Sequence, residues 1–332
     1  MDPMKQPLVS VVTPVYNEEK NLAECIESVL AQTYPNWEYV IVNNCSTDRS
    51  LQIAQSYASQ DGRIRVCDNR EFLRAIPNHN HALHQISSES KYCKVVLGDD
   101  WIFPECLTKM VELAEAHPSV GIVGAYGMRG AAVSWDGLPY PSTVMSGGDI
   151  CRWTLLGRPY VFGTPTSILM RSDLVRASES FYNESNIHAD SEVCFELLRR
   201  WDFGFVHQVL TYTRMREESL TAFSERYNTY LPGILDRLLK FGPSVLSQDE
   251  LSARLKDHLA TYYQYLADSV FALREKEFWA YHRGKMESVG HPLSLPRLFV
   301  AVCAKAIDCF LNPKRTIEGM LDAGHRGGKR RQ

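Results

Sequence analysis

Along the first two thirds of the chain, short apolar runs alternate with stretches whose apolar residues recur at helical spacing. Residues 8–12, LVSVV, predict a strand. Leu22, Cys25, Ile26, Val29 and Leu30 then share one helical face; Asn17 is placed to cap that helix, with Glu18 and Glu19 in a first turn where the dipole favours acids. Residues 38–42 predict a second strand, followed by NNCSTD, in which Ser46 or Thr47 caps a helix carrying Leu51, Ile53, Ala54 and Tyr57. Further strands are predicted at 63–67, 95–97 and 120–124, with helices near 80–86 and over 105–116. The segment 128–160 is irregular, and GTPTSILMR (163–171) predicts a strand returning to the sheet. Such alternation implies right-handed βαβ units and a mainly parallel, doubly wound sheet flanked by helices.

Beyond residue 222 the pattern is helical only. Residues 230–241 and 248–286 predict helices, the second long and rich in Tyr and Leu; Pro292 and Pro296 then punctuate a break. Residues 298–311 are apolar but interrupted by Lys305 and Asp308, which predicts a packing or interfacial helix rather than a span. The expected division is an α/β domain over 1–222 and a helical C-terminal extension over 223–332.

Chemistry concentrates at the strand ends. In open α/β sheets, ligands sit outside the carboxyl ends of the strands, so TPVYN, NNCSTD and LGDDW outline a crevice. In VVLGDDW (95–101) two carboxylates, Asp99 and Asp100, are adjacent and would repel unless a cation lies beside them. A hard divalent ion, completed by water and substrate phosphates, fits that pair; a solvated Gly-Asp-Asp turn fits the same residues. No G-x-G-x-x-G follows the first strand and no P-loop lysine motif occurs, which argues against dinucleotide and P-loop chemistry. His79, His81 and His84 do not share one helical face, which argues against zinc.

Charge changes the picture little. A formal net charge of −3 gives no reason to expect nucleic acid; the exception is the C-terminus, where Arg326, Lys329, Arg330 and Arg331 can touch anionic lipid or simply be solvated. Nine cysteines without C-x-x-C spacing read as small hydrophobes of a reduced, cytoplasmic protein. Neither a signal peptide nor a membrane span is expected.

Three segments, VSVVTPVYNEEKNLAECIESVLAQTYPNWEYVIVNNCSTD (9–48), VVLGDDWIFPECLTKMV (95–111) and HADSEVCFELLRRWDFGFV (188–206), resemble in order and spacing those of family 2 glycosyltransferases with the GT-A fold. The resemblance implies a nucleotide-sugar donor, best matched by UDP, and single-displacement transfer with inversion to a saccharide or lipid-linked saccharide acceptor in surface-polysaccharide assembly. It implies that Pro14, Val15, Tyr16 and Asn17 hold the nucleoside together with Asn44, that Asn80 faces the donor, and that Asp99 serves the ribose or the metal shell. Asp100 would bind Mn²⁺ or Mg²⁺, and Asp190 would take the acceptor proton. Arg70 and Arg74, or Arg214 and Arg216, are further diphosphate candidates, and Trp135 and Trp153 could stack on an acceptor sugar.

The chain departs from the family pattern at Asn43 and Asn44, where two aspartates are usual, at Leu97, where many relatives carry a first acid, and at Ala189, where a glutamate is usual. These departures support an alternative, a non-catalytic nucleotide-sugar-binding relative; the retained Asp99, Asp100 and Asp190 argue for the enzyme. The C-terminal extension can dock on the catalytic domain, form a homodimer surface or rest on the inner face of the membrane.

Overall fold

The computed structural model describes residues 6–134, 137–216 and 220–312. The chain forms two compact units, Met1–Leu220 and Thr221–Gln332.

The first unit runs β1 (Val9–Val15), α1 (Leu22–Leu30), β2 (Trp37–Asn43), α2 (Ser50–Ala58), β3 (Ile64–Asp68), α3 (Ala75–Leu83), β4 (Tyr92–Val95), β5 (Trp101–Ile102), α4 (Cys106–Ala116) and β6 (Val120–Arg129). It continues through β7 (Ala132–Ser134), β8 (Val144–Met145), α5 (Gly147–Leu155), β9 (Ile168–Arg171), α6 (Ser172–Arg176), α7 (Ala189–Leu198) and β10 (Asp202–Thr213). The main path of the sheet is β3-β2-β1-β4-β9-β6-β10-β5, with β7 on β6 and β8 on β10.

The four strands β3, β2, β1 and β4 are parallel, as the alternation implies. The sheet as a whole is mixed, because β9 lies antiparallel between β4 and β6. Every residue of β1 is buried, the mark of a central strand covered on both faces. Val9, Val11 and Val15 pack with Leu22, Cys25, Ile26 and Val29 of α1 and with Cys106, Leu107 and Met110 of α4 in one apolar cluster.

Two local expectations change. The first helix starts at Leu22, so Asn17, Glu18 and Glu19 precede it rather than cap it. Asn17 instead turns the chain with φ 54°, a left-handed conformation that asparagine tolerates. Its backbone N–H donates to Ser46 Oγ at 3.1 Å and its Oδ1 accepts from Thr47 N at 2.8 Å, tying the end of β1 to the end of β2. Ser46 and Thr47 therefore do not cap α2, whose first N–H, of Ser50, is met by Asp48 Oδ1 at 2.9 Å.

The second unit contains α8 (Leu220–Tyr227), α9 (Tyr230–Val245), α10 (Gln248–Phe271), α11 (Lys276–Ser288) and α12 (Leu295–Leu311). The single long helix expected over 248–286 is two, broken at Leu273, which takes φ 50° without a glycine or proline to announce it. Ser247 and Glu250 form a capping box that fixes the start of α10. Tyr227, Leu231, Leu235, Tyr262, Leu266, Phe278 and Met286 form the core. His282, fully buried there, donates from Nε2 to the carbonyl of Tyr227 at 2.8 Å, since a carbonyl can only accept; its Nδ1 therefore accepts from the Tyr262 hydroxyl at 2.6 Å.

Candidate active site

The crevice is organised by the turn after β4. The N–H of Asp100 donates to the carbonyl of Leu97 at 2.9 Å, closing a tight turn. Gly98 sits inside it against Glu18; a Cβ there would lie 3.1 Å from Glu18 Cγ, so the close approach suits glycine. Asp100 is 1% exposed. Its Oδ2 accepts from Thr166 Oγ1 at 2.6 Å and its Oδ1 from the backbone N–H of Arg214 at 3.0 Å. Burial, with Asp99 beside it, pushes the Asp100 carboxyl up to about 7 despite those donors.

Asp99 Oδ2 pairs with Arg216 Nε at 2.6 Å, and the same guanidinium reaches Glu18 Oε1 at 2.6 Å through Nη1. Glu18 is itself buried, and its carboxyl is raised by that burial. Arg214 donates from Nε to the backbone carbonyl of Asp99 at 3.1 Å and pairs with Glu24. Its guanidinium lies 5.3 Å from the ring of Trp101, which stacks on Tyr212 at 3.5 Å. The TYTRMR segment thus brings both arginines onto the acid pair, whereas Arg70 and Arg74 stand exposed elsewhere on the rim.

Two residues that no motif singled out hold this arrangement. Thr166 accepts from Leu97 N at 3.1 Å while donating to Asp100, so one hydroxyl fixes both ends of the turn. Lys94, fully buried in β4, points Nζ at the carbonyls of Thr166 and, at 3.2 Å, Ile168. Its burial lowers the ammonium pKa. The available signal was a lone lysine in an otherwise apolar run, YCKVV; the strand predicted at 95–97 begins just past it, whereas β4 spans Tyr92–Val95 and contains it.

Asp190 is half-buried, in the first turn of α7, whose N-cap is His188. Its Oδ1 accepts from Ser191 N at 2.7 Å. The hydroxyl of Ser191 meets that of Tyr160 at 2.7 Å. The segment from Tyr160 to Thr166 therefore joins the start of α7 to the acid pair, and it can span roughly 20 Å at full extension.

At the other strand ends, Pro14 and Val15 are buried in β1, and Tyr16 emerges 45% exposed with its ring 4.9 Å from that of Phe72. Asn44 is buried and committed to protein: Nδ2 donates to Leu73 O at 2.7 Å, and Oδ1 accepts from Leu73 N at 2.9 Å and Asn69 Nδ2 at 3.1 Å. Asn80 is likewise committed, bracketing the backbone of Tyr182 with Oδ1 at 2.7 Å and Nδ2 at 2.9 Å. Both asparagines hold loops, so the contacts implied for Asn44 and Asn80 would run through the segments they pin. Asn43 donates to Asp68 at 2.8 Å, yet its Oδ1, and that of Asn69, are buried acceptors with no partner.

His79 packs its ring against Tyr182, and burial lowers its pKa to about 4. Trp153 donates Nε1 to Pro159 O at 3.3 Å; Trp135 and the basic C-terminus lie outside the described residues. Among the described residues no group of three or more His, Cys, Asp or Glu is arranged to hold a metal, so a cation at Asp99 and Asp100 would need water and ligand oxygens as well.

A family model, "Glycosyl transferase family 2", matches residues 10–177, half of the chain and both the β1 and acid-pair segments. The chain belongs to glycosyltransferase family 2. Asp190 lies beyond the end of that match. Among curated relatives of this family 2 chain, the putative glycosyltransferase EpsE of Bacillus subtilis is 35% identical over 166 residues, 48% of this chain and 59% of that protein. The putative teichuronic acid biosynthesis glycosyltransferase TuaG of the same organism is 37% identical over 107 residues, 32% of this chain and 42% of that protein. The chain thus spans about half the length of these relatives. Staphylococcus aureus TarS 1–349, solved with UDP-GlcNAc, superposes with TM-score 0.61 at 18% identity over 85% of this chain and 80% of that one. The mannosyltransferase PcManGT of Pyrobaculum calidifontis, solved with GDP-Man and Mn²⁺, gives TM-score 0.55 at 15% identity over 96% and 85%. The fold is GT-A.

Proposed function

We propose that this chain transfers a sugar from a nucleotide-sugar donor, UDP-linked, to an acceptor hydroxyl with inversion, in the assembly of a surface polysaccharide. The observation that carries the reading is the buried acid pair at the crevice edge of a family 2 chain, tied through Tyr160–Thr166 to the helix that presents Asp190. In the transfer, the acceptor oxygen forms a bond to the anomeric carbon as the bond from that carbon to the diphosphate oxygen breaks. The acceptor proton passes to the Asp190 carboxylate, which the α7 N-terminus favours in its ionised form. The electron pair of the broken bond leaves with the nucleoside diphosphate.

Asp99 and Asp100 fit a hard divalent cation: both are oxygen donors, and the burial that lifts Asp100 to about 7 is a cost that a neighbouring cation relieves. Mn²⁺ or Mg²⁺ bound there would supply charge neutralisation at the diphosphate. Arg214 and Arg216, already on the acid pair, would orient it and answer the diphosphate charge from the protein side. Tyr16, with Phe72, offers exposed aromatic surface for the base. The relatives' names and the nucleotide sugars bound to the structural neighbours support the donor class and the polysaccharide setting.

The test is donor turnover and thermal protection across a panel of nucleotide sugars, with and without Mn²⁺, for wild type and Asp190→Asn. The expected outcome is metal-dependent protection by one UDP-sugar in both proteins, with transfer reduced about 10²–10⁴-fold in the variant. Protection without turnover, after saccharide and lipid-linked acceptors have been tried, would favour the binding-protein reading. Unchanged turnover in Asp190→Asn would remove Asp190 as the base.

A further inference from the structure

The last described helix breaks the usual rule for apolar residues. α12 contains no buried residue, yet Leu295, Phe299, Val300, Ile307, Phe310 and Leu311 are all exposed, Phe310 at 85%. At 3.6 residues per turn these six fall within an arc of about 160°, and no charged residue of α12 lies inside that arc. The opposite side, with Leu298 and Ala301, rests on the apolar core of the unit, and Lys305 is anchored to Asp268 at 2.8 Å, so the rotation of α12 is set and its apolar arc is turned outward. Beside it opens a cavity of about 370 Å³ whose lining includes Leu273, Arg274, Trp279, Arg283, Leu295 and Leu298. No helix among the described residues is long and apolar enough to cross a membrane.

Charge identifies what this surface suits. Through Leu220 the chain carries 19 Lys and Arg against 27 Asp and Glu, a net of −8; from Thr221 onward it carries 17 against 12, a net of +5. Residues 313–332 alone bring six cations against two acids. A second copy packed α12 against α12 would present like charge to like charge. Nucleic acid would match the cations but has no use for a continuous aliphatic and aromatic face. A surface that takes an apolar arc to shallow depth and is itself anionic is a bilayer with acidic headgroups.

We propose that the outer face of α12 docks on an anionic lipid bilayer, its apolar arc lying among the upper acyl chains while Arg283 and Arg297 engage headgroup phosphates. This reading does not depend on the glycosyl-transfer proposal, because its test needs neither donor nor acceptor.

The full chain is sedimented with protein-free vesicles of phosphatidylcholine, with and without phosphatidylglycerol, at low and high salt. Binding to the phosphatidylglycerol vesicles, weakened by salt, is expected. The triple variant F299Q/I307Q/F310Q should bind them at least about 10-fold more weakly, with the thermal midpoint unchanged, since these side chains are mostly exposed. No binding to anionic vesicles, or equal binding by the variant, overturns the proposal. So does binding to native membranes but not to protein-free vesicles, which would assign the face to an acidic protein. A wild-type dimer in sedimentation equilibrium that the triple variant converts to monomer would assign it to a second copy and overturn the proposal equally.

Discussion

The two units depart from ordinary folding practice in opposite directions. In the α/β unit the anomalies are polar groups held away from water: Asp100 and Lys94 fully enclosed, Glu18 buried, and two asparagine carbonyls without donors. In the helical unit the anomalies are apolar groups held in water, concentrated on α12. A chain folding only for stability would do neither, since isolated buried charge and contiguous exposed apolar surface are both costly. Each anomaly would be reduced by the partner proposed for it, a cation in one unit and a lipid surface in the other. The comparison therefore separates groups that support the fold from groups that the fold supports.

Four measurements sharpen or break that contrast, beginning with the largest effect on stability. His282 is fully buried among the aromatic rings of the helical unit, and burial lowers its pKa to about 4 against an ordinary 6.5. It is neutral in the fold but binds a proton when unfolded below the ordinary value, so the unfolded state gains protons first and stability falls as pH drops from about 6.5 to about 4. The loss should be on the order of 3 kcal/mol in denaturant titrations, and His282→Gln should make that part of the profile shallower, with His79 and His258, also lowered by burial, contributing the rest. An unchanged profile would mean that His282 does not titrate as its surroundings require.

Lys94→Met keeps the length and volume of the side chain but removes the donor, leaving the Thr166 and Ile168 carbonyls buried and unmet. A loss of about 1–3 kcal/mol is expected, together with weaker Mn²⁺-dependent thermal protection, because Thr166 would no longer be fixed under Asp100. Loss of stability with metal protection intact would make Lys94 a packing residue and nothing more. Thr166→Val, similar in shape, should cost about 1–2 kcal/mol through the lost bond to Asp100, read in the same two assays. Smallest is Phe310→Gln: removing a large aromatic side chain should shift stability by no more than about 0.5 kcal/mol, where the same change in a core costs several. A large loss there would show that the α12 face is part of the fold and would collapse the contrast.

How much of this was legible in the sequence follows the same division. The strands β1, β2 and β3, the helices between them and the acid pair announce themselves through period and through residue types at strand ends, because local burial writes both. The antiparallel entry of β9 is invisible in GTPTSILMR, since strand direction depends on where an irregular segment returns the chain. Thr166 and Lys94 act through backbone carbonyls and a turn N–H, contacts that leave no pattern. The break at Leu273 has no glycine or proline to mark it, and the tertiary fit of α11 overrides a continuous helical period. Asn44 and Asn80 stand where base and donor contacts were expected, and their side chains instead brace the Leu73 and Tyr182 segments.

The direction of β9 bears on how such enzymes diverge. β6 leaves the sheet at its crevice edge and β9, running the opposite way, re-enters at that same edge. Everything between Arg129 and Ile168 is thus a detour that starts and finishes at one rim. Apart from β7 and β8, which lie within it, that detour can lengthen or shorten without re-registering the parallel strands β1, β2, β3 and β4. Under the proposed function, acceptor preference could then change through that detour while β1, β2, β3 and β4 keep their register.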